Sequence, residues 1–215
     1  MEKLHGHEIN AVKYFAASLT VLSLLEAAAY LGFPQLGRYA VWLLYLNITI
    51  AALGTALWHF MAHKAQVSCM LGMMIGMTFG MQTGMMLGAV IGATNGFFAG
   101  AMTGMIAAVA IGIITGRCCG IMGIMQGMMA GVMGGTMGPM ITLMMFSDHL
   151  ALFMPFYMAV NLAITAGGSY MIYKELEGQG EKKPASFSVF ISLCVIASFA
   201  FAMLMLYGPK SILVR

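Results

Sequence analysis

The sequence predicts an all-α, polytopic membrane bundle of about seven spans around a glycine-zipper core, and three observations predict it. First, 61% of the 215 residues are hydrophobic and only 8% are charged, with a mean hydropathy of +0.91. A soluble domain carries about 25% charged residues, so this chain cannot cover itself with a wetted surface. Second, glycine recurs every fourth residue at Gly72, Gly76, Gly80, Gly84, Gly88, Gly92, Gly96, Gly100, Gly104, Gly112, Gly116 and Gly120, with Ala108 in the one gap. Helices in lipid associate through close contact between small residues, and that spacing is their signature. Third, 25 methionines crowd the positions between.

The expected spans follow from runs of about 20 apolar residues. The first covers about 9–33 and stops near Pro34; the second covers about 39–61 and closes on the interfacial aromatics Trp58-His59-Phe60. Lys3, Lys13, an apolar run and Ala27-Ala28-Ala29 have the outline of a signal peptide, read here as a retained span. As one helix, Gly72 to Gly120 would be roughly 70 Å long, over twice the hydrocarbon thickness, so the stretch must turn. Thr94-Asn95 and Gly116-Arg117-Cys118 are the best places to do so. That gives spans of about 68–93, 96–115 and 119–146, the last bent or ended near Gly138-Pro139. A sixth covers about 150–173, a polar linker spans about 174–184, and a seventh covers about 187–207. The whole chain, 1–215, reads as a single integral membrane domain with its glycine- and methionine-rich core at about 67–146.

Seven spans place the termini on opposite sides. With the N-terminus inside, Lys3, Lys13, Lys64, Arg117, Lys174, Lys182 and Lys183 are cytoplasmic, against Arg38, Lys210 and Arg215 outside. The positive-inside rule therefore predicts a cell-membrane protein with a cytoplasmic N-terminus. If one glycine-rich segment is re-entrant, six spans and an inside C-terminus result. The four cysteines lie in or beside apolar segments, so disulfides are not expected.

Methionine pairs four residues apart share a helix face, and they recur: Met70/Met74, Met73/Met77, Met77/Met81, Met81/Met85, Met125/Met129 and others. Thioether is a soft ligand that selects Cu(I), so rings of such pairs could hold or pass that ion. Methionine is equally a flexible filler against glycine grooves. His59 and His63, followed by Cys69 and Met70, make a metal-acquisition site or an interfacial belt reaching the headgroups. Cys118-Cys119, with Met122, Met125 and Met129 beyond, follow Arg117, whose charge is expected to lower a thiol pKa. Adjacent side chains diverge on a helix, so the two thiols can share an ion only at a helix break. With the N-terminus inside, His59, His63, Cys69, Cys118 and Cys119 all fall at cytoplasmic span ends. The alternative for Cys118-Cys119 is two small residues at a tight turn.

The remaining polar groups are weaker leads. His5 and His7 form a terminal pair. Glu26 falls inside the first span, where it is protonated, bonded to Asn47 or Thr49, or part of a proton path. Asp148-His149 is an outer entry site or, more simply, a helix cap. No nucleophile elbow, P-loop, dinucleotide fingerprint, paired-carboxylate or nucleic-acid motif occurs, and neither catalysis nor a nucleic-acid partner is expected.

Met81-Gln82-Thr83-Gly84-Met85 with Gly96-Phe97-Phe98-Ala99-Gly100 resembles the Ctr-type copper transporters, where one span presents a methionine pair and the next packs through glycines. The tract Met122-Gly123-Ile124-Met125-Gln126-Gly127-Met128-Met129 is similar to the cores of prokaryotic heavy-metal-associated membrane proteins. The resemblance covers about 67–146 and implies Cu(I) as the expected ion. Three readings stand: a soft-metal binding or transport protein in the lipid bilayer, a homo-oligomer or accessory subunit of a membrane complex docking through its glycine zipper, and a channel for a small neutral solute.

Overall fold

The computed structural model describes residue 13 and residues 15–24, 39–63, 68–175 and 187–210. Among these, all regular structure is helical: a short α1 (Phe15–Leu24), then α2 (Ala40–His63), α3 (Cys69–Asn95), α4 (Phe97–Gly116), α5 (Gly120–Met144), α6 (Leu150–Glu175) and α7 (Phe187–Tyr207). Five helical stretches are long and apolar enough to cross a membrane. One of them, Phe97–Ser147, runs 51 residues, and a 3-10 turn at Arg117–Cys119 folds it into α4 and α5.

Seven spans are therefore not found. The expected first span is described as helix only over Phe15–Leu24, short of the roughly 20 residues a bilayer requires. Glu26, the histidine pair His5 and His7, and Lys3, Arg38, Lys64, Lys182, Lys183 and Arg215 lie outside the described residues. The turns fall where the polar residues predict them. Gly96 (φ 103°) separates α3 from α4, and Gly120 (φ 67°) reverses the chain into α5. Only glycine adopts such angles without strain. Both glycines make turns, and at Gly120 this replaces the packing role expected of it. Nothing would lie within 4 Å of a Cβ at Gly120.

The centre of the fold is α3, of whose span 72% is buried, against 22% for α7. It packs with α4 and α5 backbone to backbone. A Cβ at Gly112 would lie 2.3 Å from the Gly127 carbonyl oxygen, and one at Gly127 would lie 2.3 Å from that of Gly112. Gly116 and Gly123 face each other in the same way, at 2.3 and 2.4 Å. One turn further, a Cβ at Gly131 would meet the Ala108 backbone at 2.8 Å, so the stripe's single alanine is answered by a glycine. On the α3 side, Gly76 meets Gly116, Gly80 meets Gly112, Gly92 meets Gly100 and Gly88 meets Gly104. Gly84 closes on the Gly134-Gly135 backbone, at 2.3 Å to the Gly135 nitrogen. Cα–H groups thus rest directly on carbonyls of the neighbouring helix, a weak attraction that repeats at every turn.

Pro139 neither ends nor stops α5, which continues to Met144. The reason is a notch. Added Cβ atoms at Gly88 and Gly92 would sit 2.9 and 2.6 Å from the proline ring, so those glycines make the space it occupies. A membrane helix tolerates such a proline when its neighbours enclose it.

The other helices wrap this trio with ordinary side chains. Phe60 of α2 meets Phe79 of α3 edge-on at 6.5 Å, and Gly54 faces Cys194 and Phe190 of α7. Ser198 Oγ donates to Asn47 Oδ1 at 3.0 Å, and Thr49 donates to the Tyr45 carbonyl at 2.8 Å. At the far end Asn95 Nδ2 donates to the Leu204 carbonyl, and Lys210 Nζ to the Tyr39 hydroxyl.

This packing separates two kinds of glycine. Gly112→Ala should destabilise the protein by at least about 2 kcal/mol, because the backbone it meets cannot yield as a flexible side chain does. Gly167→Ala, where a Cβ would meet nothing within 4 Å, should cost nothing measurable. Thermal unfolding in detergent checks both, and a Gly112→Ala protein as stable as wild type would refute the close approach.

Candidate functional site

Three thiols meet at one end of the trio. Ser68 caps α3, its hydroxyl accepting from Leu71 N–H at 3.4 Å and donating to the Glu175 carboxylate. This starts α3 at Cys69, level with the Arg117–Cys119 turn. The turn breaks helical geometry, so the adjacent side chains no longer diverge: Cys118 Sγ and Cys119 Sγ lie 3.6 Å apart. Cys119 Sγ donates to the Cys69 carbonyl at 2.7 Å, joining positions 50 residues apart, and Cys118 Sγ donates to the Thr115 carbonyl at 3.4 Å. All three are free thiols, as is the buried Cys194.

Gly72 keeps this pocket open. A Cβ there would lie 2.3 Å from Cys118 Sγ and 2.8 Å from Cys119 Sγ. The four-residue stripe therefore ends not against another backbone but against sulfur. Arg117 is exposed, and the thiol of Cys119 is not lowered as the sequence suggested. Burial first, then hydrogen bonding with Cys69 and Cys118, pushes the Cys119 thiol from 9.0 up to about 12. The two neighbouring thiols add to the rise at Cys119 because each disfavours its thiolate.

The other expected ligands are distributed differently. His59 is half-buried one turn before the end of α2, at the same end of the bundle, and His63 ends that helix with its side chain outside the described residues. Met70, Met74 and Met77 are exposed on α3, while Met73, Met81 and Met85 are half-buried. Met122, Met125 and Met129 are exposed on α5, Met70 and Met122 at 74% and 75%. The two methionine faces adjoin, since Gln126 Nε2 donates to Met77 Sδ at 3.8 Å. Asp148 and His149 are exposed, and the His149 carbonyl accepts from the Leu152 and Phe153 N–H groups, which is a capping turn.

Among the described residues, no group of three His, Cys, Asp or Glu side chains is disposed to hold a metal ion as it stands. What the site offers is a pair of soft sulfurs within reach of one ion, a third cysteine beside them and thioethers on the adjoining face. Sequence reasoning passed over the α5 stripe Gly123, Gly127, Gly131 and Gly135, whose four-residue spacing was visible, and the positioning role of Gly72, which was not. Nor does any motif announce the bond between Ser68 and Glu175, 107 positions apart.

A pKa this high has a direct consequence. Cys119 stays protonated at pH 8, and its thiolate accumulates only as pH climbs towards 12. In a variant keeping Cys119 as its single cysteine, iodoacetamide alkylation should be slow at pH 8 and still rising above pH 10. Removing Cys69 and Cys118 there also removes their raising effect, but burial, the largest cause, remains. A plateau by pH 9 would contradict this environment for Cys119.

No protein-family model, curated protein or solved structure matches the chain.

Proposed function

We propose that this chain is a bilayer-embedded protein that binds a soft metal ion, Cu(I), at its end-of-bundle thiols, with methionines of α3 and α5 as thioether ligands. The observation that carries this reading is the pairing of Cys118 and Cys119 sulfurs 3.6 Å apart, beside Cys69, in a space reserved by Gly72. Sulfur ligands select Cu(I) over hard cations. The Ctr-like methionine and glycine motifs point the same way. Arg117 and Lys174 lie at the thiol end and Lys210 at the other, which favours a cytoplasmic thiol site in the cell membrane.

The reading is one of binding at the thiol end, and the close approach of α3, α4 and α5 backbones supports it over passage between those three helices. The exposed methionines favour a second reading, in which the chain is an oligomeric or accessory subunit. Its core is then a glycine zipper that docks helices, and the methionine faces of α3 and α5 are deformable packing surfaces.

Metal binding must displace thiol protons, so affinity for Cu(I) should rise with pH, by about tenfold per unit for each proton released. Competition against a Cu(I) chelator on reduced, purified protein measures this. Cys118→Ser/Cys119→Ser should abolish the pH-dependent component. Leucine at Met70 and Met122, each within one helical turn of a cysteine in sequence, should lower the affinity while the fold survives, because the swap nearly conserves volume. Protein that binds neither Cu(I) nor Ag(I) would remove the metal reading and leave the subunit reading in place.

A further inference from the structure

The α3–α6 interface carries a second polar feature, far from the thiols and different in chemistry. Its hydroxyls are satisfied within their own helices: Thr83 donates to the Phe79 carbonyl at 2.7 Å and Thr165 to the Asn161 carbonyl at 2.9 Å. Two amide oxygens are not. Gln82 Oε1 and Asn161 Oδ1 are buried without a hydrogen-bond partner, on residues only 4% and 2% exposed. Asn161 cannot cure this by turning its amide over, because its nitrogen already donates to the Tyr157 carbonyl at 2.7 Å.

The two residues stand at one level on facing helices. Tyr157 Oη donates to the Met85 carbonyl at 3.4 Å, and further along α6 a Cβ at Gly168 would meet the Phe79 ring at 3.1 Å and Thr78 at 3.7 Å. These contacts fix an antiparallel register. Asn161 is one turn beyond Tyr157 on the same face, and Gln82 is one turn before Met85 on the face that carries Thr78 and Phe79. The register sets each opposite the other, near the midpoint of both spans.

We propose that Gln82 and Asn161 form a binding site for one water molecule between α3 and α6. Two orphaned acceptors call for a ligand with two donors, and water has two. Charge argues against a cation: α3 contains no ionised residue, and α6 has only Lys174 and Glu175 in its last turn. A bare cation held by two neutral amides in an apolar interior would lack compensation. Buried waters are found where they bridge otherwise unpaired polar groups. These oxygens are hard ligands, so the site stands independently of the thiols and of their proposed metal.

Two measurements on the full chain in lipid bilayers test this. In water-edited solid-state NMR, magnetisation from water should reach the side-chain amides of both Gln82 and Asn161. Absence of transfer to either would overturn the proposal. In thermal unfolding, Gln82→Leu and Asn161→Leu should each be destabilising, since each leaves the opposite oxygen and the water short of a partner. The double variant should recover at least about 3 °C relative to the sum of the two losses. Simple additivity would overturn the shared ligand. Ammonium, sodium and potassium chlorides should leave the melting temperature of wild type and variants equally placed. An ion-specific rise confined to wild type would replace water by a cation and overturn the proposal.

Discussion

Everything in this fold depends on the direct contact of three helix backbones. Lipid tails are as apolar as leucine side chains, so burying apolar surface gives no drive for helices to associate within a bilayer. What remains is close packing, and close packing between helices is limited by their side chains. Glycine removes that limit. Along α3, α4 and α5 the four-residue spacing returns a glycine to the shared face at each turn, and successive pairs such as Gly112–Gly127 and Gly116–Gly123 keep one antiparallel register. The attraction at each level is small, but it is repeated along the whole span.

That constraint also determines where chemistry can occur. Where backbones touch, there is little room for side chains between them, so the thiols and methionines lie at the ends and on the outer surface. The thiols occupy one end, where the glycine stripe meets the Arg117–Cys119 turn. Exposed methionines are most numerous on α3 and α5, whereas the exposed faces of α6 and α7 carry mainly branched and aromatic residues such as Phe156, Val160, Leu193 and Phe199, with Met171 and Met203 among them. The amide pair lies where α3 leaves the trio and meets α6 through ordinary side chains. In each place the loss of a side chain on one helix frees space for a group on another: Gly72 for sulfur, and Gly88 and Gly92 for Pro139.

Much of this was legible in the sequence, and for identifiable reasons. The length of the apolar stretch forces turns, and Thr94-Asn95 and Gly116-Arg117-Cys118 are where the sequence permits them, within a residue or two of the observed breaks. The observed helices match the expected spans to within a few residues from α2 onward. Cys69, Cys118 and Cys119 could be placed at one end by counting spans, but their contact could not, since it depends on the capping of α3 by Ser68. The direction of the Cys119 shift was misread because the neighbouring arginine is explicit in the sequence while burial and the other two thiols are not. Of the two outcomes expected at Pro139, a bend or an end, the helix does not end there, because the notch that accommodates the ring lies on another span. The methionines' outward placement could not be deduced from a composition that puts methionine on every face.

The backbone contact itself is the claim to measure. In bilayer-reconstituted protein with 13C-labelled glycine, solid-state NMR can detect the approach of the Gly112 Cα to the Gly127 carbonyl carbon. The account predicts a strong correlation at short mixing time, with the Gly112 Cα within about 4 Å of that carbonyl group. Loss of that correlation, with α4 and α5 at the usual axial spacing of about 8–10 Å, would contradict it.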